Sequence, residues 1–338
     1  MKFEPLFFER NRVGRVYTGG KLFSGLFGDD AVDGYLPEEW IASAVKALNK
    51  DSLSEKEGVS KIKDSDIYFD ELLEKYGDEL LGRGNKLRIL VKALDSAIRL
   101  PAQVHPDKAF SQKYFNSSYG KTECWTILDT REDAKIFFGF QDGVTREDLE
   151  KAIDLSETDP DAMERLMEVI VPKKDEVYFV PARTVHAIGK GCLILEVQEP
   201  TDFTIQPEHF CGEYGLNDKE MYLGLERSVA VDCFDFGKAP DSILEPTLIY
   251  NEDGAAKYSV VSKDHTDCFI INRFNLTGGK ATLNVENSYG IYIGTEGEGA
   301  LSGGGYEKRI KKGDYFFMPA CCMGKYEISG NLTVTECY

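Results

Sequence analysis

One pattern occurs twice in the chain and constrains its fold more than any other feature. Lys173 to Pro181 reads KKDEVYFVP and Lys311 to Pro319 reads KKGDYFFMP, so a basic pair, a turn, an aromatic strand and a terminating proline recur in the same order. Self-similarity of this kind marks a structural unit built twice. The apolar run predicts a strand in each copy, and the proline, which cannot donate to a ladder, ends it. Around the two copies, proline, glycine and asparagine punctuate β-branched and aromatic runs, the pattern of a sandwich or barrel rather than of alternating strands and helices. The copies part at one position that matters for chemistry. Five residues past the proline the first has His186 and the second has Gly324, so only the first keeps a side chain that can ligate.

A length of 338 residues predicts about two domains. Hydrophobic residues at 42% and charged residues at 29% exclude a disordered, fibrous or coiled-coil chain. The net charge of −18 would repel a polyphosphate backbone, so no nucleic-acid partner is expected. The opening MKFEPLFFERNR lacks the apolar stretch of a signal peptide, and no apolar run approaches the roughly 18 to 20 residues a bilayer needs, which predicts a soluble cytoplasmic protein without a membrane partner. Cys124, Cys192, Cys211, Cys233, Cys268, Cys321, Cys322 and Cys337 include no CxxC pair, and their apolar settings predict buried free thiols.

Two stretches carry helical spacing. Asp64 to Leu81 places Phe69, Leu72, Leu73, Tyr76 and Leu80 on one face, and Thr145 to Ile170 predicts two short helices broken at Asp159-Pro160, with Thr145 as N-cap and Asp148 three residues on. Gly237 to Pro246 (GKAPDSILEP) predicts a linker. The expected architecture is mainly β, two barrels with a helical insertion: residues 1–143 with 172–236 as the metal-binding unit, 144–171 as the insertion, and 247–338 as a metal-free C-terminal unit.

Only four histidines exist, at 105, 186, 209 and 265. In Gln103-Val104-His105-Pro106, strand alternation puts Gln103 and His105 on one face. Glu123 follows in an apolar strand-like run (GKTECW), where an unpaired carboxylate is costly and calls for a cation. With His186, the set Gln103, His105, Glu123 and His186 offers two imidazoles, one carboxylate and one amide, donors that Zn²⁺ accepts while leaving room for water or substrate. One carboxylate leaves such a site a formal charge of about +1, suited to polarising a carbonyl or hydroxyl. His209 and His265 have no partner at ligand spacing and read as structural.

The turn, strand, proline and histidine order resembles the second motif of the cupin superfamily, and Gly297-Glu298-Gly299 resembles a cupin hairpin turn. The string QVHPDKAFSQKYFNSSYGKTECWTIL, with VPARTVHAIGKGCLILEVQEPTD downstream, is similar to type I mannose-6-phosphate isomerases, zinc-dependent cupin enzymes. The likeness runs from Gly19-Gly20 and Glu38-Glu39-Trp40 through Lys92-Ala93-Leu94 to about Asp235, and more loosely to the C-terminus. It implies two jelly-roll barrels and Zn²⁺ on Gln103, His105, Glu123 and His186. It also implies interconversion of mannose 6-phosphate and fructose 6-phosphate through a metal-stabilised cis-enediol. Lys121 matches a substrate-site lysine and Glu196 an acid near the reacting carbons; Lys92 and Lys121 are candidates to hold the sugar phosphate. Two positions depart from the family pattern. Gln206 stands where the family has an arginine, and Val45 where it has a histidine; Arg183, three residues before His186, could supply the missing charge. Two histidines and a carboxylate also describe the facial triad of non-haem iron oxygenases, and the uncharged Gln206 suits a metal-bearing sugar-phosphate binder with weak or no turnover. Monomer and homo-oligomer are equally open.

Overall fold

The computed structural model describes residues 3–49, 52, 54–239 and 242–338. Its described residues form mainly antiparallel sheets of eight, seven, three and two strands. The seven-stranded sheet runs in the order Ile243–Leu244, Val177–Val180, Glu123–Thr130, Cys192–Gln198, Leu90–Asp95, Glu38–Ile41, Arg12–Val13. Successive side chains on these strands point to opposite faces, and both faces are covered. Leu94, Trp125 and Ile194 enter one core with Ile136, Leu149, Ala187 and Ile188. Ala93, Cys124, Leu195 and Val197 enter a second core with Ile271, Ile291, Ile293 and Phe317 of the eight-stranded sheet. Burial on both faces explains why Leu90–Asp95 and Cys192–Gln198 are buried throughout rather than at alternate residues.

The two copies of the repeat fold alike up to the proline. Lys173 N–H donates to Glu176 at 2.8 Å and Lys311 N–H to Asp314 at 2.9 Å. Asp175 (φ 72) and Gly313 (φ 83) take the same left-handed turn position, and the strands Val177–Val180 and Tyr315–Met318 follow. Beyond it the first copy enters the strand His186–Ile188, whereas the second coils into the 3-10 turn Ala320–Cys322.

Several expectations are revised. The helix within 64–81 starts only at Phe69 and ends at Leu81, because Asp64 adopts φ 57 and Lys61 bridges Tyr68. The first helix of the insertion is Arg146–Leu155, capped by the Thr145 side chain as expected. The second is absent: Glu164–Leu166 makes a 3-10 turn and Met167–Ile170 is a strand paired with Ile136–Phe140. Val169-Ile170-Val171 are all β-branched, and Pro172 forces the residue before it into extended backbone. Gly297-Glu298-Gly299 is no hairpin turn but lies inside the strand Gly290–Gly303, with Glu298 paired to both Lys311 and Asn331. A Cβ on Gly297 would sit 2.1 Å from the Asn331 carbonyl oxygen, so glycine here serves close approach of two strands. The expected division between units is also crossed twice. Leu6–Phe7 pairs with Tyr315–Met318 in the C-terminal sheet, and Ile243–Leu244, inside the expected linker, pairs with Val177–Val180; Pro240 and Asp241 of that linker lie outside the described residues.

All eight cysteines are free thiols, six of them buried, with Cys268 half-buried and Cys321 exposed. No helix among the described residues is long and apolar enough to cross a membrane.

Candidate active site

Strand register brings four charges to one face of the seven-stranded sheet. Lys92 lies opposite Glu196 and opposite Trp40, while Gln198, two residues from Glu196, lies opposite Glu123. Glu38 shares this face with Trp40. Lys92 Nζ is 3.0 Å from Glu196 and 3.8 Å from Glu38. Glu38 in turn accepts from the Tyr17 hydroxyl at 2.7 Å, Trp40 Nε1 at 2.6 Å and Arg15 Nε at 3.0 Å. Arg15 also pairs with Asp202 at 3.0 Å and donates to Asn49 at 3.0 Å. Arg15, Tyr17, Glu38, Lys92, Glu196 and Asp202, with Gln103, Lys121 and Glu123, line a cavity of about 620 Å³.

The buried charges set one another. Burial opposes the Glu38 carboxylate, yet Arg15 and Lys92 hold it well below the usual range. Burial likewise opposes the Lys92 ammonium, and Glu196 and Glu38 more than restore it. Glu196 goes the other way: burial, then the negative charge of Glu123, raise it to about 7 against the pull of Lys92. A carboxyl poised near neutrality in a cavity suits proton transfer.

Glu123 of this wall meets two histidines: His105, Glu123 and His186 place one ligand atom each within 4.8 Å of one another. Nδ1–H of His105 donates to the Phe203 carbonyl at 3.0 Å and Nδ1–H of His186 to the Thr184 carbonyl at 2.9 Å. These bonds fix the tautomer that turns each Nε2 lone pair inward. Burial, reinforced by Lys121, pushes His105 down to about 3, and burial also lowers His186, so both imidazoles are neutral. His105 Nε2 then faces Glu123 Oε1 at 3.0 Å and His186 Nε2 faces Glu123 Oε2 at 3.8 Å, acceptor against acceptor. Such contacts call for a cation. Lys121 Nζ supplies part of one, at 3.1 Å from both His105 Nε2 and Glu123 Oε1, but the buried His186 Nε2 has no hydrogen-bond partner among the described residues. The donor set therefore fits a metal ion. Gln103 exchanges backbone bonds of 2.9 Å with His186 and lines the cavity beside the cluster. Glu199 holds the loop that carries Lys121, accepting from Gly120 N–H at 3.1 Å and Thr122 N–H at 3.0 Å.

The remaining candidates divide. Gln206 lines the cavity, its Nε2 donating to the Glu220 carbonyl at 3.3 Å. Arg183 is not among the lining residues; its guanidinium donates to the carbonyls of Cys233 and Asp232. Val45 packs beside Trp40. His209 bonds Ser156 and His265 bonds Ser262, both away from the cluster. Sequence reasoning missed Arg15, Asp202 and Glu199. Nothing in their local pattern signals the site, because only folding brings residue 15 to within an ion pair of residue 202.

A family model described as "Mannose-6-phosphate isomerase, cupin domain" matches residues 263–338, which places the C-terminal sheet in the cupin class. Mannose-6-phosphate isomerase ManA of Bacillus subtilis is 31% identical over 252 residues, covering 73% of each chain. Mannose-6-phosphate isomerase of Streptococcus mutans is 26% identical over 98% of this chain and 97% of its own. Among solved structures, the mannose 6-phosphate isomerase from Bacillus subtilis superposes with a TM-score of 0.80 at 25% identity, covering 99% of this chain and all of that one. A phosphomannose isomerase from Salmonella typhimurium shares the fold at a TM-score of 0.73. The chain belongs to the mannose-6-phosphate isomerase family.

Proposed function

We propose that the protein is a zinc-dependent aldose-ketose isomerase that interconverts mannose 6-phosphate and fructose 6-phosphate. The observation that carries this reading is that Glu123, the carboxylate of the His-Glu-His cluster, lines the same cavity as the Lys92–Glu196 pair. His105, Glu123 and His186, with Gln103 beside them, would hold the ion. When bound, it supplies Lewis-acid stabilisation of the sugar's C1 and C2 oxygens.

The chain's own groups account for the rest. Ionised Glu196 removes the proton from one of the two adjacent carbons and returns it to the other, through a cis-enediol. Lys92 holds that carboxylate in place, and Lys121, whose Nζ reaches Thr204 at 3.2 Å, donates to a sugar oxygen. Arg15, paired to Glu38 and Asp202, keeps the wall rigid. Arg183, engaged with backbone carbonyls, is left out of the machinery. Gln206 carries no charge for the phosphate. Lys219 lines the cavity, is exposed and makes no ion pair among the described residues, and is the cation assigned to that group.

The accompanying architecture is two cupin-type barrels, a first one that Ile243–Leu244 joins and a C-terminal one that Leu6–Phe7 joins; the family match over 263–338 supports the second. A cytoplasmic setting accords with eight unpaired thiols.

The test is coupled detection of fructose 6-phosphate from mannose 6-phosphate, before and after chelation and after Zn²⁺ is restored. Turnover lost on chelation and recovered with zinc is expected. A ligand-induced rise in melting temperature without turnover would select the binding protein that the neutral Gln206 favours.

A further inference from the structure

A second cavity, of about 350 Å³, opens between the seven-stranded and eight-stranded sheets. Thr126 and Leu128 of the strand Glu123–Thr130 face it from one side. From the other come Arg273 and Asn275 of Ile271–Thr282, Thr295 of Gly290–Gly303, and Thr333 and Thr335 of Glu327–Cys337. Register explains the grouping, because Arg273 lies opposite Thr335 and Asn275 opposite Thr333. Elsewhere the two sheets meet through Leu195, Ile271, Ile293 and Cys337, an apolar core. A polar hole beside such a core costs stability unless its groups are satisfied.

Thr295 donates to the Thr333 carbonyl at 3.4 Å, but several of the others find no partner among the described residues. Among the described residues, no carboxylate pairs with Arg273 and no hydrogen bond reaches its guanidinium, although burial is strong enough to lower its pKa. The Thr126 and Thr335 side chains, on residues only 6% and 3% exposed, likewise make no hydrogen bond among the described residues. Oδ1 of Asn275 is buried without a partner among the described residues. The carboxylates at this cavity do not fill the gap: Glu296 is bound by Lys174, and Asp175 acts on Arg273 only from beyond ion-pair distance.

We propose that this cavity binds a small oxyanion that carries hydroxyl groups, a phosphate monoester of a polyol being the type. Arg273 would pair with the anionic oxygens, and the threonine hydroxyls would donate to them and accept from a ligand hydroxyl. The site stands apart from the catalytic cavity but shares a strand with it. On Glu123–Thr130 the metal-ligand candidate Glu123 faces one core while Cys124, Thr126 and Leu128 face the other way. An occupant would therefore pack against the back of the strand that presents Glu123.

Calorimetric titration with glycerol 3-phosphate, inorganic phosphate and sulfate tests this in the wild-type chain, in Arg273→Gln and in Thr335→Val. Glycerol 3-phosphate should bind wild type about threefold to tenfold more tightly than inorganic phosphate, the difference made by one hydroxyl contact. Arg273→Gln should weaken it by about tenfold or more, and Thr335→Val by about threefold, while the KM for mannose 6-phosphate stays within about twofold of wild type. Equal affinity for all three anions would remove the hydroxyl requirement and overturn the class of ligand. Absence of binding in wild type, or unchanged binding in both variants at unchanged melting temperature, would overturn the site.

Discussion

Burial first, and the charge of Glu123 second, lift the Glu196 carboxyl to about 7. A folded pKa above the ordinary 4.5 means that this group's contribution to stability is fully present below about pH 4.5 and is lost as pH rises through about 7. A metal ion on His105, Glu123 and His186 would offset the Glu123 charge, so loading zinc should lower the Glu196 pKa. Carbon-detected NMR of the carboxyl, titrated with and without zinc, measures the change; no movement, or movement upward, would contradict the assignment of the ion to these ligands. Lys219 gives a second expectation at this scale. An exposed cation that meets a phosphate makes one charge-assisted contact worth about 1 to 2 kcal/mol, so Lys219→Ala should raise the KM for mannose 6-phosphate by about tenfold with little change in kcat. A KM unchanged by that substitution would place the phosphate elsewhere. The His-Glu-His cluster was legible at this scale for a plain reason. Four histidines in the whole chain leave few combinations, and a carboxylate in GKTECW needs a cation. Arg15 and Asp202 were not legible, because their pairing spans 187 positions and exists only once the sheet register is set.

At the level of elements, the loop around Lys121 is held by one carboxylate. Glu199 accepts from the N–H groups on both sides of the lysine, Gly120 and Thr122, and Thr201 donates to the Gly120 carbonyl at 2.7 Å. Glu199 touches no proposed reacting atom, so it is a positioning residue. Glu199→Ala should free one buried and one half-buried amide, a loss of about 1 to 3 kcal/mol for the buried one, and let Nζ drift from its place beside His105 and Thr204. The expected result is a fall in kcat of about tenfold to a hundredfold, with Glu199→Gln, which keeps one acceptor, recovering part of it. If both variants keep wild-type kcat, the clamp has no catalytic consequence. The repeat was readable at this scale because turn chemistry is local: a residue that tolerates positive φ, Asp175 or Gly313, follows each basic pair. The segment 164–171 was misread because its apolar spacing suits either period over so few residues. Pairing with Ile136–Phe140 decided the matter in favour of a strand.

For the molecule as a whole, the central question is whether two sheets that share a wall can unfold separately. The seven-stranded sheet supplies Leu195, Val197 and Cys124 to the same core that receives Ile271, Ile293 and Phe317 from the eight-stranded sheet. The chain also crosses between them twice, through Leu6–Phe7 and Ile243–Leu244. A linear division of the sequence at a Pro- and Gly-rich stretch could not register this, since composition marks where a chain turns but not which sheet its ends join. Removing either sheet would expose the apolar back of the other, at about 25 cal/mol per Å². The folded state should therefore be lost in one cooperative step despite a length that ordinarily allows two domains. Scanning calorimetry of the metal-free chain should show a single transition whose van't Hoff and calorimetric enthalpies agree. Ile293→Ala, at a side chain 1% exposed, should cost about 2 to 5 kcal/mol and move that whole transition down by several degrees. Two resolved transitions, with only one displaced by Ile293→Ala, would mean that the shared core does not couple the sheets.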